Sequence, residues 1–74
     1  MSVRFNKLWK LLIDRGMTRV ELRSAAQMSP NTLAKLGKNE DVSLDVLKRI
    51  CAVLKCDIGD IMEIIPEQST SDNA

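Results

Sequence analysis

A run of hydrogen-bond donors between residues 29 and 38 is the most chemically informative stretch of this 74-residue sequence. Its polar side chains are hydroxyls, an amide and two ammonium groups, with no carboxylate: Ser29, Asn31, Thr32, Lys35 and Lys38. Asparagine forms a bidentate pair with adenine and lysine reaches the acceptors of guanine, so Asn31 and Lys35 suit base edges. The hydroxyls and the second lysine suit phosphate oxygens, whose contacts position a protein without specifying a sequence.

These side chains need a scaffold, and the spacing of apolar residues predicts an all-α chain with no strand. The five predicted helices are residues 5–15, 19–26, 30–36, 44–55 and 58–64. Thr18 followed by Glu21 is the signature of a capping box at the start of the second helix. Ser29 followed by Pro30 is typical of a helix start, because serine caps the first turn and proline is tolerated at its first position. Ser43 is the corresponding cap of the fourth helix.

The segment 18–36 has the apolar spacing of two helices joined by a tight turn. Its apolar residues are separated by four, two, five and three positions: Leu22, Ala26, Met28, Leu33 and Leu36. A helix pair joined by so short a turn must cross steeply, which leaves the outer face of the helix at 30–36 free to enter a DNA major groove. Gly16 is predicted to end the first helix as its C′ residue, where glycine suits the left-handed conformation, and Gly37 is predicted to end the third helix.

Residues 17–39 and 42–61 resemble the Cro/C1-type (Xre-like) helix-turn-helix regulators, and in particular their small single-domain bacterial members. The Ser-Leu-x-x-Leu-x-x-Ile-Cys run that begins at Ser43 and the Asp-Ile pair that ends at Ile61 both belong to the family pattern. The resemblance spans about residues 5–65. It implies a compact five-helix domain of the phage-repressor type, which binds double-stranded DNA with its third helix as the reader and represses transcription.

The resemblance also implies roles for single residues. The base-reading positions of the family are occupied by Pro30, Asn31 and Lys35. The predicted phosphate contacts, which include the two hydroxyls, are Arg19, Ser29, Thr32, Lys38 and Asn39. Two positions depart from the family pattern: Arg23 replaces a residue that is often small, and Gln27 replaces the usual glycine of the turn. A left-handed Gln27 would cost about 1–2 kcal/mol.

The composition bounds the other possibilities. An apolar fraction of 45% and a charged fraction of 28% are typical of a globular domain, predicted at residues 1–66 with a mobile polar tail at 67–74. Phe5 and Trp9 are the only aromatic residues and are predicted to lie in the core, and two rings cannot build a stacking platform for single strands. The chain shows neither a membrane-spanning apolar run nor the apolar core of a secretion signal, which predicts a cytoplasmic location.

The cysteines and the absence of histidine argue against metal and enzyme chemistry. Cys51 and Cys56 are predicted to be reduced thiols, and their spacing of five places them on different faces of a helix. Two cysteines without histidine cannot supply the four ligands of a structural zinc site, so no metal is predicted. No nucleophile has a paired base and no glycine-rich phosphate loop is present, so neither an enzyme nor a cofactor is predicted.

Charge is divided unevenly along the chain. Residues 1–38 carry eight basic and two acidic side chains, whereas residues 39–74 carry three basic and eight acidic ones. The acidic half is expected to face away from phosphates, and it holds more apolar residues than one inner face needs: Val53, Met62 and Ile65. These three predict either additional core or the contact of a homodimer. The family resemblance favours a homodimer on two half-sites about 34–36 Å apart.

A second function is compatible with the same features. An antitoxin-like or adaptor protein could use the acidic half to bind another protein instead of DNA. Affinity for DNA without any partner distinguishes this interaction module from a DNA-binding regulator.

Overall fold

A computed structural model describes residues 2–66, and the predicted mobile tail at 67–74 lies outside these described residues. The elements in chain order are β1 (Ser2–Arg4), α1 (Asn6–Arg15), α2 (Arg19–Ala25), α3 (Pro30–Gly37), α4 (Leu44–Leu54), a 3-10 turn (Ile58–Asp60) and β2 (Glu63–Ile65). The described part of the chain is therefore mostly helical, with four α-helices and one pair of strands. The first four predicted helices each agree with the observed bounds to within one residue.

The structure does not confirm a fifth helix at 58–64, and the prediction that the chain has no strand is wrong. Asp57 caps a single 3-10 turn, after which Glu63–Ile65 pairs antiparallel with Ser2–Arg4. Val3 faces Ile64 across this pair. Three-residue strands are too short to show an alternating pattern, and their partners lie about sixty positions apart in sequence. Each segment becomes extended because it pairs with the other, and this pairing exists only in the folded chain.

The predicted helix starts are confirmed by their hydrogen bonds. Thr18 and Glu21 form a reciprocal capping box, in which Thr18 Oγ1 accepts from the backbone N–H of Glu21 at 3.1 Å and Glu21 Oε1 accepts from that of Thr18 at 2.8 Å. The hydroxyls of Ser29 and Ser43 accept from the third residue of α3 and α4. These bonds satisfy amide groups that have no partner inside the helix.

All four helices end at a left-handed residue. Among residues 2–66, positive φ occurs at Gly16 (65°), Gln27 (54°), Asn39 (57°) and Lys55 (52°). The next residue in each case donates its N–H to the carbonyl five positions earlier: Met17 to Leu12 at 2.9 Å, Met28 to Arg23 at 3.1 Å, Glu40 to Lys35 at 2.9 Å and Cys56 to Cys51 at 3.1 Å. This six-to-one bond defines the Schellman motif. Three of the four left-handed positions are occupied without glycine.

The third of these caps lies beyond Gly37, the residue predicted to end α3. Gly37 is the last residue of α3, and the left-handed position falls two residues later at Asn39. Asparagine tolerates this conformation because its short polar side chain can hydrogen-bond locally. Here it also forms a tertiary bond, since Asn39 Oδ1 accepts from the backbone N–H of Phe5 at 2.9 Å. This bond ties the end of α3 to the start of α1.

The fourth cap corrects the prediction that the two cysteines lie on different faces. The left-handed Lys55 reverses the chain and returns Cys56 toward Cys51, whose carbonyl it meets through the six-to-one bond. Both thiols are half-buried. Burial, and then the charge and hydrogen bonding of Cys51, raise the pKa of the Cys56 thiol. A raised pKa keeps the thiol protonated and therefore poorly nucleophilic at neutral pH.

The core lies between the inner faces of the four helices and the strand pair. Its buried apolar residues are Val3, Phe5, Leu8, Leu12, Leu22, Ala26, Met28, Leu36, Leu47, Ile50, Leu54 and Ile61. Met28 leaves the α2–α3 turn to join this core, as its spacing predicts, while Leu33 packs against it half-buried. Arg49 of α4 donates to the carbonyl of Gln27 at 3.1 Å and so holds the same turn from the other side.

Two features are absent from residues 2–66, the part of the chain that the structure describes. No helix in this range is both long and apolar enough to cross a membrane. No three histidine, cysteine or carboxylate side chains of the same range lie close enough together to hold a metal ion.

Replacing Gln27 with glycine is expected to stabilise the protein. The substitution removes the strain of a left-handed non-glycine residue, which stabilises the folded state by about 1–2 kcal/mol. The greater backbone entropy of glycine in the unfolded chain opposes this gain by about 0.5–1 kcal/mol. The Arg49 bond survives because it uses the backbone carbonyl. Thermal unfolding of Q27G should show a midpoint a few degrees higher. The matched control G16A, at a glycine with φ 65°, should unfold at a lower temperature; a fall for Q27G would contradict the strain argument.

Candidate nucleic-acid interface

Two hydroxyl groups close the first turn of α3. Ser29 is the N-cap, and Ser29 Oγ accepts from the backbone N–H of Thr32 at 3.2 Å. The Ser29 and Thr32 hydroxyls lie 3.0 Å apart and share a further hydrogen bond. Pro30 takes the first helical position, where the backbone N–H that proline lacks would have no partner inside the helix. Both predicted phosphate-binding hydroxyls are therefore held in place by the helix that they begin.

One face of α3 is exposed along its whole length. Its members are Pro30, Asn31, Ala34, Lys35 and Lys38. Asn31 and Lys35 are one helical turn apart, while Leu33 and Leu36 lie on the side that packs against the core. The structure thus brings the predicted base-reading residues onto one accessible face. It adds Ala34, which the sequence analysis missed; the available signal was its position three residues after Asn31, where a methyl group suits thymine.

Arg19 is the first residue of α2, and its side chain connects three helices. Its guanidinium carbon lies 3.8 Å from the centroid of the Trp9 ring on α1. A Cβ atom added to Gly37, at the end of α3, would lie 3.5 Å from Arg19 Nη1. Trp9 itself is half-buried against the core, so the prediction that it is a core residue describes only part of its surroundings.

The loop after α3 contains the other two predicted phosphate contacts. Lys38 is the exposed C-cap of α3, and its backbone N–H donates to the carbonyls of Ala34 and Lys35. Asn39 is exposed as a residue, but its Oδ1 accepts from Phe5. Only the amide NH2 group of Asn39 is then left for a phosphate. The Lys38 side chain is therefore accessible to a ligand, whereas the Asn39 side chain also holds the end of α3 against the start of α1.

The cations around α3 carry no charge partner within the part of the chain that the structure describes. The ion pairs among residues 2–66 are Arg4 with Glu63 at 3.9 Å and Arg49 with Asp45 at 2.7 Å. Neither pair includes Arg19, Lys35 or Lys38. These three exposed cations on and beside α3 are therefore free to pair with a polyanion.

The three residues predicted to form a dimer contact are all partly accessible. Val53, Met62 and Ile65 are each half-buried. Of these, Met62 lines an apolar groove of about 240 Å³ together with Ile64, which is 53% exposed. Val53 packs against the core and Ile65 lies in β2. Ile64 is not among the residues predicted for this contact, because its exposure depends on a strand pair that is not predicted either.

Comparisons with known proteins agree with this geometry. The family model of the Cro/C1-type helix-turn-helix DNA-binding domain matches residues 7–67. The crystal structure of the transcriptional regulator VanUg (Form II) is similar to this chain, with 62% sequence identity and a TM-score of 0.86. The similarity covers 89% of this chain and 88% of that one. No curated protein matches significantly. With most of its length matched, the chain belongs to the Cro/C1-type helix-turn-helix family of DNA-binding regulators.

Proposed function

We propose that the protein represses transcription by occupying a two-fold operator as a homodimer, with α3 in the major groove of each half-site. The observation that carries the proposal is the exposed face of α3, which combines an amide, a methyl group and an ammonium group with no carboxylate. A groove lined by base edges offers partners to each of these groups. This function would place the protein with the DNA of the cell, which agrees with the predicted cytoplasmic location.

Base reading is assigned to the exposed face of α3. Asn31 can pair with adenine through two bonds, and Lys35, one turn later, can donate to the O6 and N7 of guanine. Pro30 and Ala34 contribute apolar surface between these polar groups. Because Leu36 on the opposite face is fully buried, the helix cannot rotate without breaking the core. Rigid placement of this kind supports discrimination between bases.

Phosphate binding is assigned to the side chains that flank α3. Arg19 and Lys38 supply the charges, and Ser29 and Thr32 supply hydroxyls at the start of the helix. The amide NH2 of Asn39 completes this set. Contacts to phosphates hold the protein in register but carry no sequence information.

Dimerisation is assigned to the surface around the strand pair. Met62 and the exposed Ile64 line an apolar groove there, and Val53 and Ile65 complete the set from the sequence analysis. The acidic half of the chain contains all four residues, so the same surface is poorly suited to phosphates. A two-fold contact would set the two α3 helices on half-sites about one helical turn of DNA apart.

The protein-interaction module remains the second candidate. The observation that favours it is the same groove, which also includes the acidic Asp41 beside its apolar lining. A partner with an apolar segment flanked by basic residues would fit this surface. DNA binding by the purified protein alone separates the two candidates.

Selection of random duplex DNA by the purified protein is expected to enrich a two-fold motif with half-site centres about ten base pairs apart. The variants N31A and K35A should each relax the preference at one position per half-site, lowering discrimination there by about one order of magnitude. Lys48, exposed on α4, provides the control K48A, which should select the wild-type motif. Selection without any enriched motif would contradict base reading and favour the interaction module.

Phosphate contacts are expected to appear in the salt dependence of DNA affinity. R19A and K38A should weaken binding to all sequences alike and reduce the slope of log affinity against log salt by about 0.9 each. Titration of mixed-sequence duplex DNA over a range of salt concentrations measures this slope, with K48A as the charge-matched control. An unchanged slope in R19A would remove that residue from the phosphate-binding set.

Introducing a charge at Ile64 is expected to disrupt the proposed dimer. I64K places a cation in the apolar groove, so sedimentation should shift from dimer toward monomer and operator affinity should fall more than tenfold. Ile13 is 77% exposed on α1 and provides the matched control I13K, which should remain dimeric. A wild-type protein that sediments as a monomer at all concentrations would contradict the dimer.

A further inference from the structure

The contact between Trp9 and Arg19 combines one core-facing residue with one proposed DNA contact. Trp9 packs half-buried against the core from α1, and the Arg19 guanidinium carbon lies 3.8 Å above its ring centroid. This distance is well inside the range of about 6 Å over which a cation is attracted to a ring face, and tryptophan attracts cations most strongly. The Trp9 side chain therefore contacts both the core and the guanidinium.

The position of Arg19 is not explained by helix stability. A cation in the first turn of a helix is opposed by the helix dipole, and within residues 2–66 no carboxylate forms an ion pair with Arg19. Its side chain nevertheless reaches across from α2 to the Trp9 ring, and its Nη1 would lie 3.5 Å from a Cβ atom added to Gly37. The guanidinium is thus held beside the end of α3, next to the proposed reading face.

Holding the guanidinium before DNA arrives changes how it binds. A free arginine side chain samples many rotamers and loses them on contact, whereas a stacked one has lost many of them already. The nitrogens that do not face the ring remain available, and the planar guanidinium can donate two parallel bonds to one phosphate. A restrained side chain is therefore a stronger and more directional phosphate donor than the same charge on a mobile stem.

We propose that Trp9 is a positioning residue for DNA binding, whose ring fixes the Arg19 guanidinium beside α3 as a preformed phosphate donor. The inference rests on the proposed function and extends it to a residue that does not itself touch DNA. It assigns to Trp9 a role in affinity for all duplex sequences, separate from its contribution to the core.

A double-mutant cycle on duplex DNA tests the coupling. W9M keeps apolar volume without an aromatic face and should weaken binding to mixed-sequence duplex DNA by about two- to fivefold, the range that an exposed cation–π contact corresponds to. In the R19A background the same W9M change should have no further effect. If Trp9 acts only through the core, W9M should weaken DNA binding equally in the wild-type and R19A backgrounds. That result would overturn the inference.

W9F is a second variant that keeps the inference testable if W9M does not fold. It retains a ring face over which a cation can lie, so it should bind DNA more tightly than W9M and show a weaker coupling to Arg19 than the wild type. R19K keeps the positive charge and loses the planar fork, so it should bind more weakly than wild type. Equal affinity of R19K and wild type would contradict the role of a preformed fork.

Fluorescence tests the contact without DNA. Trp9 is the only tryptophan in the chain, so its emission reports on this ring alone. R19A should increase the quenching of Trp9 by acrylamide, whereas K38A should leave it unchanged. Equal quenching in wild type and R19A would show that the contact is absent and would overturn the inference. If the wild-type protein has the contact but no affinity for duplex DNA, both the inference and the proposed function are overturned. If it binds DNA but the effects of W9M and R19A are additive, only the inference is overturned.

Discussion

Each α-helix of the described residues is followed by a left-handed residue that reverses the backbone, and the packing of the domain is built on these reversals. A short chain with four helices must turn within a few residues while satisfying the last helical carbonyls, and the six-to-one bond does both. Between α2 and α3 the reversal at Gln27 sends Met28 into the core and leaves Ser29 to begin α3. After α3, the reversal at Asn39 also positions an amide oxygen for the start of α1. The strain of these residues is tolerated because the reversals bring core residues together, and burial of each large apolar side chain stabilises the fold by about 1.5–3 kcal/mol.

The same short helices build both the core and the proposed interface. In α3, Leu36 is fully buried while its neighbour Lys35 is exposed, so the reading face is fixed by the packing behind it. In α2, Leu22 is buried and Arg19 reaches outward to the Trp9 ring. A domain of this size cannot dedicate separate elements to stability and to recognition. Side chains at the boundary between the two faces consequently take both roles.

Much of the candidate site could be predicted from local sequence, because its residues lie within one contiguous segment. The first turn of α3 and the face that carries Asn31 and Lys35 follow from a cap signal and from helical periodicity. The assignments of these residues to bases and phosphates stay predictions, tested by the variants above. Contacts that involve residues far apart in sequence were not predictable in the same way. The oxygen of Asn39 bonds to Phe5, and the guanidinium of Arg19 lies on Trp9, because tertiary packing brings α1 beside the two following helices.

Local sequence signals specify the helices and where they start, since capping boxes, N-caps and apolar periodicity act within a few residues of each other. The ends of the helices are also predicted to within one residue, but the left-handed reversals at Asn39 and Lys55 are not, because these two residues have at most a partial intrinsic preference for that conformation. The tertiary structure alone makes residues 63–65 a strand, since their pairing partner is the segment 2–4. It likewise decided that Cys51 and Cys56 lie together, because one left-handed residue between them replaces helical geometry with a reversal. Local signals are readable in sequence because their partners are near; the remaining features depend on which distant groups the folded chain brings into contact.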